Sequence, residues 1–413
     1  MGGLSDLGIQ DDPFDYYRER LASCPVWHEE DLDLYVIGGH PEARIALTDP
    51  ATFSSRPNRR RGANEAAAEY QRVLTEQGWP RSATLQRTDP PVHTRYRNLL
   101  NRVFTMNRVR ELTPRIEEIA SDLVDRFIGA GRCEFVAEFA LPMPGRLIAE
   151  QLGLGPDDYG TFRRWADAML LLASRQPTVE EAIAEAAIEV EAQHFLANEI
   201  AKRREHPTDD LLSLLAHAHG EDEQPLTMGE LQDLMHQLVT GGFETTTGAI
   251  AKGMWLLLRY PEQQAVLRAQ PELMRNFVEE VLRFDSPVQG LWRQTTCPVE
   301  IAGTTIPEGA SVMVRYGSAN HDPRGFEDPE RFDVAREDAR NHLAFGLGPH
   351  YCVGAALARQ EMLSSFTILL DRLSDIELAQ PVATPAHSPS IFLRPLRELH
   401  LRFTARDSAS AVG

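Results

Sequence analysis

The chain has 413 residues, with 61 acidic against 42 basic, for a formal net charge of −19. It is 42% hydrophobic and 25% charged, the composition of a globular protein long enough to bury a large core. That charge argues against general nucleic-acid binding, which needs an excess of Lys and Arg to neutralise phosphate.

The acidic start, MGGLSDLGIQDD, lacks the apolar segment of a secretory signal. Residues 1–10 read as a flexible lead-in. Leu34–Ile37 (LYVI), followed by Gly38-Gly39, reads as a short strand ending in a turn. Arg56–Arg61 is a basic loop containing Pro57. Helical periodicity then dominates from about residue 90 to 285.

Asp89 and Pro90-Pro91 mark a helix start. His93 and Arg97 stand four apart, on one helix face, where they could bind a carboxylate or phosphate. Arg95, Arg102, Arg108 and Arg110 add a basic strip, with a solvated face as the equal alternative. Val179–Glu205 is Ala/Glu-rich and reads as a long surface helix with its charges outward. Pro207–Asp210 is a loop before another helix start.

Thr227 and Glu230 make a capping box. From there a helical pattern runs to about Arg259, about 30 residues or about 45 Å. Its middle is GGFETTT, Gly241–Thr247. The glycine pair costs about 2 kcal/mol of helix propensity against alanine. A local break at a functional site is expected there; a kinked helix with its polar residues in solvent is the alternative. Pro271–Phe284 carries one apolar face, with Glu280 and Arg283 spaced as a routine surface pair.

Residues 295–316 mix β-branched residues with Gly and Pro turns and read as hairpins. Residues 317–350 form a long irregular loop, of the kind that is usually functional. It ends in FGLGPHYCVG, Phe345–Gly354. The glycines allow close backbone approach to a ligand. A Cys just before a helix feels the positive end of the helix dipole, which favours thiolate. A Gly-rich loop with a structural Cys is the alternative. A helix from about 353 to 372 follows, then a strand at 399–403 and a disordered tail at 406–413.

Four cysteines, Cys24, Cys133, Cys297 and Cys352, form no Cys-x-x-Cys pair and no disulfide framework, which suits a reducing cytoplasm. No apolar run is long enough to anchor the chain in a membrane. The expectation is one mainly α domain with small β-sheets (α+β), spanning 11–405.

In this order the motifs closely resemble the cytochrome P450 superfamily, soluble bacterial type, from about residue 10 to 405. FGLGPHYCVG fits the haem-binding Phe-Gly-x-Gly-x-His-x-Cys-x-Gly pattern at every fixed position. EVLR (Glu280–Arg283) fits the K-helix Glu-x-x-Arg, GGFETTT the oxygen-binding part of the I helix, and HTRYR the C-helix His-x-x-x-Arg. Ala319–Arg336 resembles the meander before the Cys loop.

The resemblance implies a prism-like P450 fold with haem b between the I helix and the Cys loop and L helix. It implies a monooxygenase that uses O2 to insert one oxygen atom into a hydrophobic small molecule, most simply by hydroxylation. Cys352 would be the iron ligand. Phe345, Gly346, Gly348 and Gly354 would shape its loop, and His93, Arg97, Arg293 and His350 would bind the propionates. Gly241 and Gly242 would let the helix open beside the iron. Glu244 and Thr245 would deliver protons, and Glu280, Arg283 and Arg336 would form a buried structural network. Leu85, Leu172, Gln237, Thr240, Val288, Leu291, Ile391 and Phe392 would line the substrate pocket, within stretches that include Ser82–Leu85 and Met169–Ala173. With no fused redox domain, electrons would come from NAD(P)H through a ferredoxin and its reductase, to a monomer. A P450-fold recruitment partner, or an oxidative-coupling enzyme, is the alternative.

Overall fold

The computed structural model describes residues 2–56, 64–174, 177–219, 224–380 and 384–406, with the backbone alone at 173 and 174. The basic loop beyond Arg56 and the tail beyond 406 lie outside the described residues. The chain sorts into two compact units. One comprises Met1–Ser54, Val109–Met143 and Glu244–Gly413; the other comprises Ser55–Arg108 and Pro144–Phe243.

The first unit contains all the described strands. Its main sheet runs in the order Val26–Glu29, Leu34–Ile37, Ser311–Val314, Leu291–Thr295 and Phe53–Ser54. Only the Leu34–Ile37 and Ser311–Val314 pair is parallel. Period-two alternation sends side chains to two cores. Ile37, Val312 and Val314 pack with Ala43, Ala46 and Leu47 of helix His40–Thr48. Leu34, Val36 and Met313 pack with Tyr16, Tyr17 and Trp27. Leu4 belongs to the second cluster, and its N–H donates to Glu29 Oε2 at 3.1 Å, so the start of the chain is packed rather than trailing.

The hairpins expected at 295–316 include Val299–Ile301 paired with Thr304–Ile306. Ala302 and Gly303, at φ 51° and 77°, make the turn that a right-twisted hairpin prefers. A second sheet orders Arg132–Glu134, His400–Ala405 and Leu373–Leu378.

The second unit is helical. Helix Val179–Glu205 starts in a capping box of Thr178 and Glu181. It was expected to lie on the surface. Instead its alanines allow close packing: Ala182, Ala186 and Val190 meet Tyr70, Val73 and Leu74 of helix Glu65–Gln77. Glu189 is carried inside, where it accepts hydrogen bonds of 2.5 Å from both Tyr70 and Arg81.

Helix Met228–Arg259 opens at the Thr227/Glu230 capping box and continues without interruption through Gly241-Gly242. The local break expected there is absent. Burial of Val239, Phe243 and Ile250 around the glycines holds the helix where propensity alone would open it.

Candidate functional site

Residues 343–354 form a closed loop that leads into helix Ala355–Arg372. The Gly346 N–H donates to Leu343 O at 2.8 Å, Tyr351 N–H to Gly348 O at 3.1 Å, and Cys352 N–H to Phe345 O at 2.9 Å. Gly346 and Gly348 sit at φ 69° and 70°, where a side chain would strain the backbone. A Cβ on Gly348 would also stand 2.5 Å from the Leu47 carbonyl oxygen. A Cβ on Gly354 would meet nothing within 4 Å. The loop is therefore tight at Gly348 and open at Gly354, and Cys352 is half-buried.

Tyr316 gathers the groups beside this loop. Burial raises its phenol pKa; the Arg293 guanidinium opposes that shift and Cys352 adds to it. A Cβ on Gly346 would lie 3.4 Å from the Tyr316 hydroxyl. Arg293 is itself buried and donates from Nη1 to Trp292 O at 2.7 Å. His350 is half-buried within the same loop.

The loop rests on two buried ionic clusters. In the first, Arg283 Nε and Nη2 donate to the two Glu280 oxygens at 2.7 and 2.8 Å. Arg283 Nη1 reaches Asn320 O and Pro329 O at 3.0 and 2.9 Å. Arg336 Nε donates to Glu280 at 3.2 Å and its Nη1 to Glu327 O at 2.7 Å. Neither Glu280 nor Arg283 is exposed, so the surface pair that their spacing suggests is a buried one.

No motif or spacing points to the second cluster. Arg359 Nε and Nη2 donate to the two Glu279 oxygens at 2.8 and 2.9 Å, and His342 Nε2 lies 3.1 Å from the same carboxylate. Burial works against ionisation of Glu279, yet hydrogen bonds from His342 and Arg359 hold its carboxyl down to about 2.

Glu244 and Thr245 are adjacent and half-buried on helix Met228–Arg259. Val288, Leu291, Ile391 and Phe392 are half-buried apolar side chains on two segments that pair with each other. The Gln289 N–H donates to Phe392 O at 2.7 Å, Val288 bridges to Leu393, and Arg394 N–H donates to Pro287 O at 3.2 Å. A fully buried Lys252 braces them through Asp285 at 2.6 Å, and Asp285 in turn meets Arg394 at 2.5 Å.

In the second unit His93 is buried and Arg97 half-buried on helix Val92–Val103. Gln237 does not offer its amide to a pocket. Its Nε2 donates to Thr84 Oγ1 and Asp233 Oδ2, each at 2.7 Å, and its Oε1 accepts from the Gln86 N–H at 3.2 Å. Thr84 also donates to Asp233 at 2.5 Å. This triangle fixes the backbone on either side of Leu85, whose φ of 27° is rare for a branched residue. Thr240 donates to His236 O at 2.8 Å, and Leu172 is 38% exposed.

The basic strip is partly neutralised. Arg95 pairs with Glu230 at 2.6 Å and Arg108 with Asp209 at 2.8 Å, so charge balance neutralises these two members.

The model of the family described as Cytochrome P450 matches residues 176–401. The chain is 36% identical over 398 residues to cytochrome P450 monooxygenase PikC of Streptomyces venezuelae, covering 95% of this chain and 91% of that one. It is 35% identical over 413 residues to 6-deoxyerythronolide B hydroxylase of Saccharopolyspora erythraea, covering 97% and 99%. Its fold superposes on cytochrome P450 CYP109Q5 from Chondromyces apiculatus with a TM-score of 0.85, at 33% identity over 98% of each chain. The chain belongs to the cytochrome P450 family. It is an oxidoreductase of the P450 monooxygenase kind, with the P450 fold.

The family implies haem and dioxygen, and the donor set suits a haem. Among the described residues no group of three or more His, Cys, Asp or Glu could hold a metal ion. A single thiol in a closed loop with open space at Gly354 would suit an iron whose other ligands come with a porphyrin. Among the described residues no helix is long and apolar enough to cross a membrane.

Proposed function

We propose that the protein is a cytoplasmic, monomeric haem-thiolate monooxygenase that hydroxylates a hydrophobic small molecule of secondary metabolism. The observation that carries this reading is the closed loop that leaves Cys352 half-buried beside the open flank of Gly354. Bound haem b supplies the activation of dioxygen.

The Cys352 sulfur would hold the haem iron as thiolate, and the hydrogen bond from its own N–H to Phe345 O fixes its backbone. Arg293 and His350 would hold the propionates as cations or hydrogen-bond donors. The Glu244 carboxyl would take up a proton and the Thr245 hydroxyl would relay it into the site. Val288, Leu291, Ile391 and Phe392 orient the substrate by apolar contact and exclude water. Electrons come from NAD(P)H through a separate ferredoxin and its reductase, and the ferredoxin docks on the exposed Arg102.

The reduced carbon monoxide complex of the purified protein tests the reading. The native protein gives a thiolate-type band and Cys352→Ala loses it; a band that survives the substitution rejects Cys352 as ligand. Thr245→Ala keeps haem but diverts electrons to hydrogen peroxide, read as the ratio of product to NAD(P)H consumed. An unchanged ratio rejects the proton role. Charge reversal at Arg102 slows reduction by ferredoxin at low salt, and an unchanged rate rejects the docking surface.

A further inference from the structure

Phe345 is held by a charge. The Arg359 guanidinium carbon lies 4.4 Å from the centroid of the Phe345 ring, well inside cation–π reach. The guanidinium has little freedom to leave. Two of its nitrogens are taken by Glu279, and Nη1 donates to the Tyr351 hydroxyl at 3.0 Å. Glu279 is only 7% exposed and is shared with His342. The rings of His342 and Tyr351 stand 5.8 and 6.3 Å from the Phe345 ring. Phe345 is thus walled by a cation and two rings, and its carbonyl receives the Cys352 N–H. The end of the irregular loop and the start of helix Ala355–Arg372 meet at this side chain, and helix Met274–Phe284 reaches it through Glu279 and Arg359.

We propose that Arg359 is a positioning residue that fixes the Phe345 ring behind the Cys352 turn, lends it positive charge, and so sets how readily the bound iron is reduced. The inference rests on Cys352 being the iron ligand. A cation near a thiolate-ligated iron favours the more electron-rich, reduced state. Removing it leaves the buried Glu279 carboxylate under-compensated on the same side, which disfavours reduction further.

The test is the reduction equilibrium of the purified holoenzyme, measured without substrate beside the band position of its reduced carbon monoxide complex. Arg359→Gln is expected to lower the equilibrium constant for reduction about fivefold or more, where tenfold corresponds to about 59 mV for one electron. In a Phe345→Leu background the same substitution is expected to change it less than in the native protein, because the part carried through the ring is gone and only the field of Glu279 remains. Arg359→Lys keeps the charge but loses the planar fork, and is expected to fall between Arg359→Gln and native. An unchanged equilibrium in Arg359→Gln overturns the proposal. So does an equal shift with and without Phe345, which would make the effect a direct field. Should Arg359→Gln fail to hold haem, Arg359→Lys carries the test, and a native equilibrium there overturns it. A native holoenzyme without a thiolate-type band rejects the Cys352 reading itself, which separates the two failures.

Discussion

Glu280 and Arg283 face each other through two hydrogen bonds of 2.8 and 2.7 Å with neither side chain exposed. Arg283 spends its remaining donors on the backbone of 320–331, and Glu280 takes the Asp333 N–H at 3.0 Å. The pair therefore ties an irregular segment to a helix. Glu280→Gln would leave two buried cations, Arg283 and Arg336, without their carboxylate, at about 3–5 kcal/mol. Denaturant unfolding and haem content are expected to fall together. Full haem content at native stability would contradict this.

Gly348 and Gly354 make a controlled comparison. Gly348→Ala meets both a positive φ and the Leu47 carbonyl, and is expected to cost about 1–3 kcal/mol in the apoprotein. Gly354→Ala has open space, so the apoprotein should unfold at the native denaturant concentration. Its haem affinity should fall, because with Cys352 as the ligand the new methyl would face the cofactor two residues away. Unchanged haem affinity in Gly354→Ala would place the cofactor elsewhere.

Burial alone pushes the Glu361 carboxyl up to about 8, and its Oε2 has no hydrogen-bond partner. Between its ordinary value of 4.5 and 8 the unfolded chain binds fewer protons than the folded one, so stability falls as pH rises through that window. Glu361→Gln removes the penalty. It is expected to stabilise by about 1–3 kcal/mol at pH about 8 and by much less at pH about 5. A gain independent of pH would show that titration is not its source.

The Lys252–Asp285–Arg394 cluster predicts an order. Burial lowers the Lys252 ammonium to about 8, although Asp285 opposes the shift. Lys252→Met leaves Asp285 still paired with Arg394, and is expected to cost less than about 1.5 kcal/mol. Asp285→Asn leaves two buried cations facing each other, and is expected to cost about 3–5 kcal/mol. Denaturant midpoints in the reverse order would refute the reading of Asp285 as the hub.

Local signals were legible wherever local chemistry decides. LYVI between turn signals is a strand at Leu34–Ile37, and the Ala/Glu run is a helix over Val179–Glu205. Spacing places Glu280 and Arg283 on one helix face, but burial of that face depends on residues 320–336 folding over it. Arg359 went unread because Glu279, 80 residues away, is joined to it only by the tertiary fold. The resemblance puts Gln237 in a pocket lining, but its partner Thr84, 153 residues off, is brought to it only by the tertiary fold. The glycine pair at 241–242 failed as a break signal for a related reason: neighbouring burial outweighed propensity.

The strand order of the main sheet bears on synthesis. Leu34–Ile37 pairs with Ser311–Val314, and the first unit is completed only by Glu244–Gly413. At about 5–20 residues per second on a ribosome, the early strand waits tens of seconds for its parallel neighbour. Throughout that interval Ser55–Phe243 emerges while an apolar, half-paired β-edge stays available to other nascent chains. Slower translation or a chaperone held at that edge should therefore govern the yield of recombinant protein more than the stability of the finished fold.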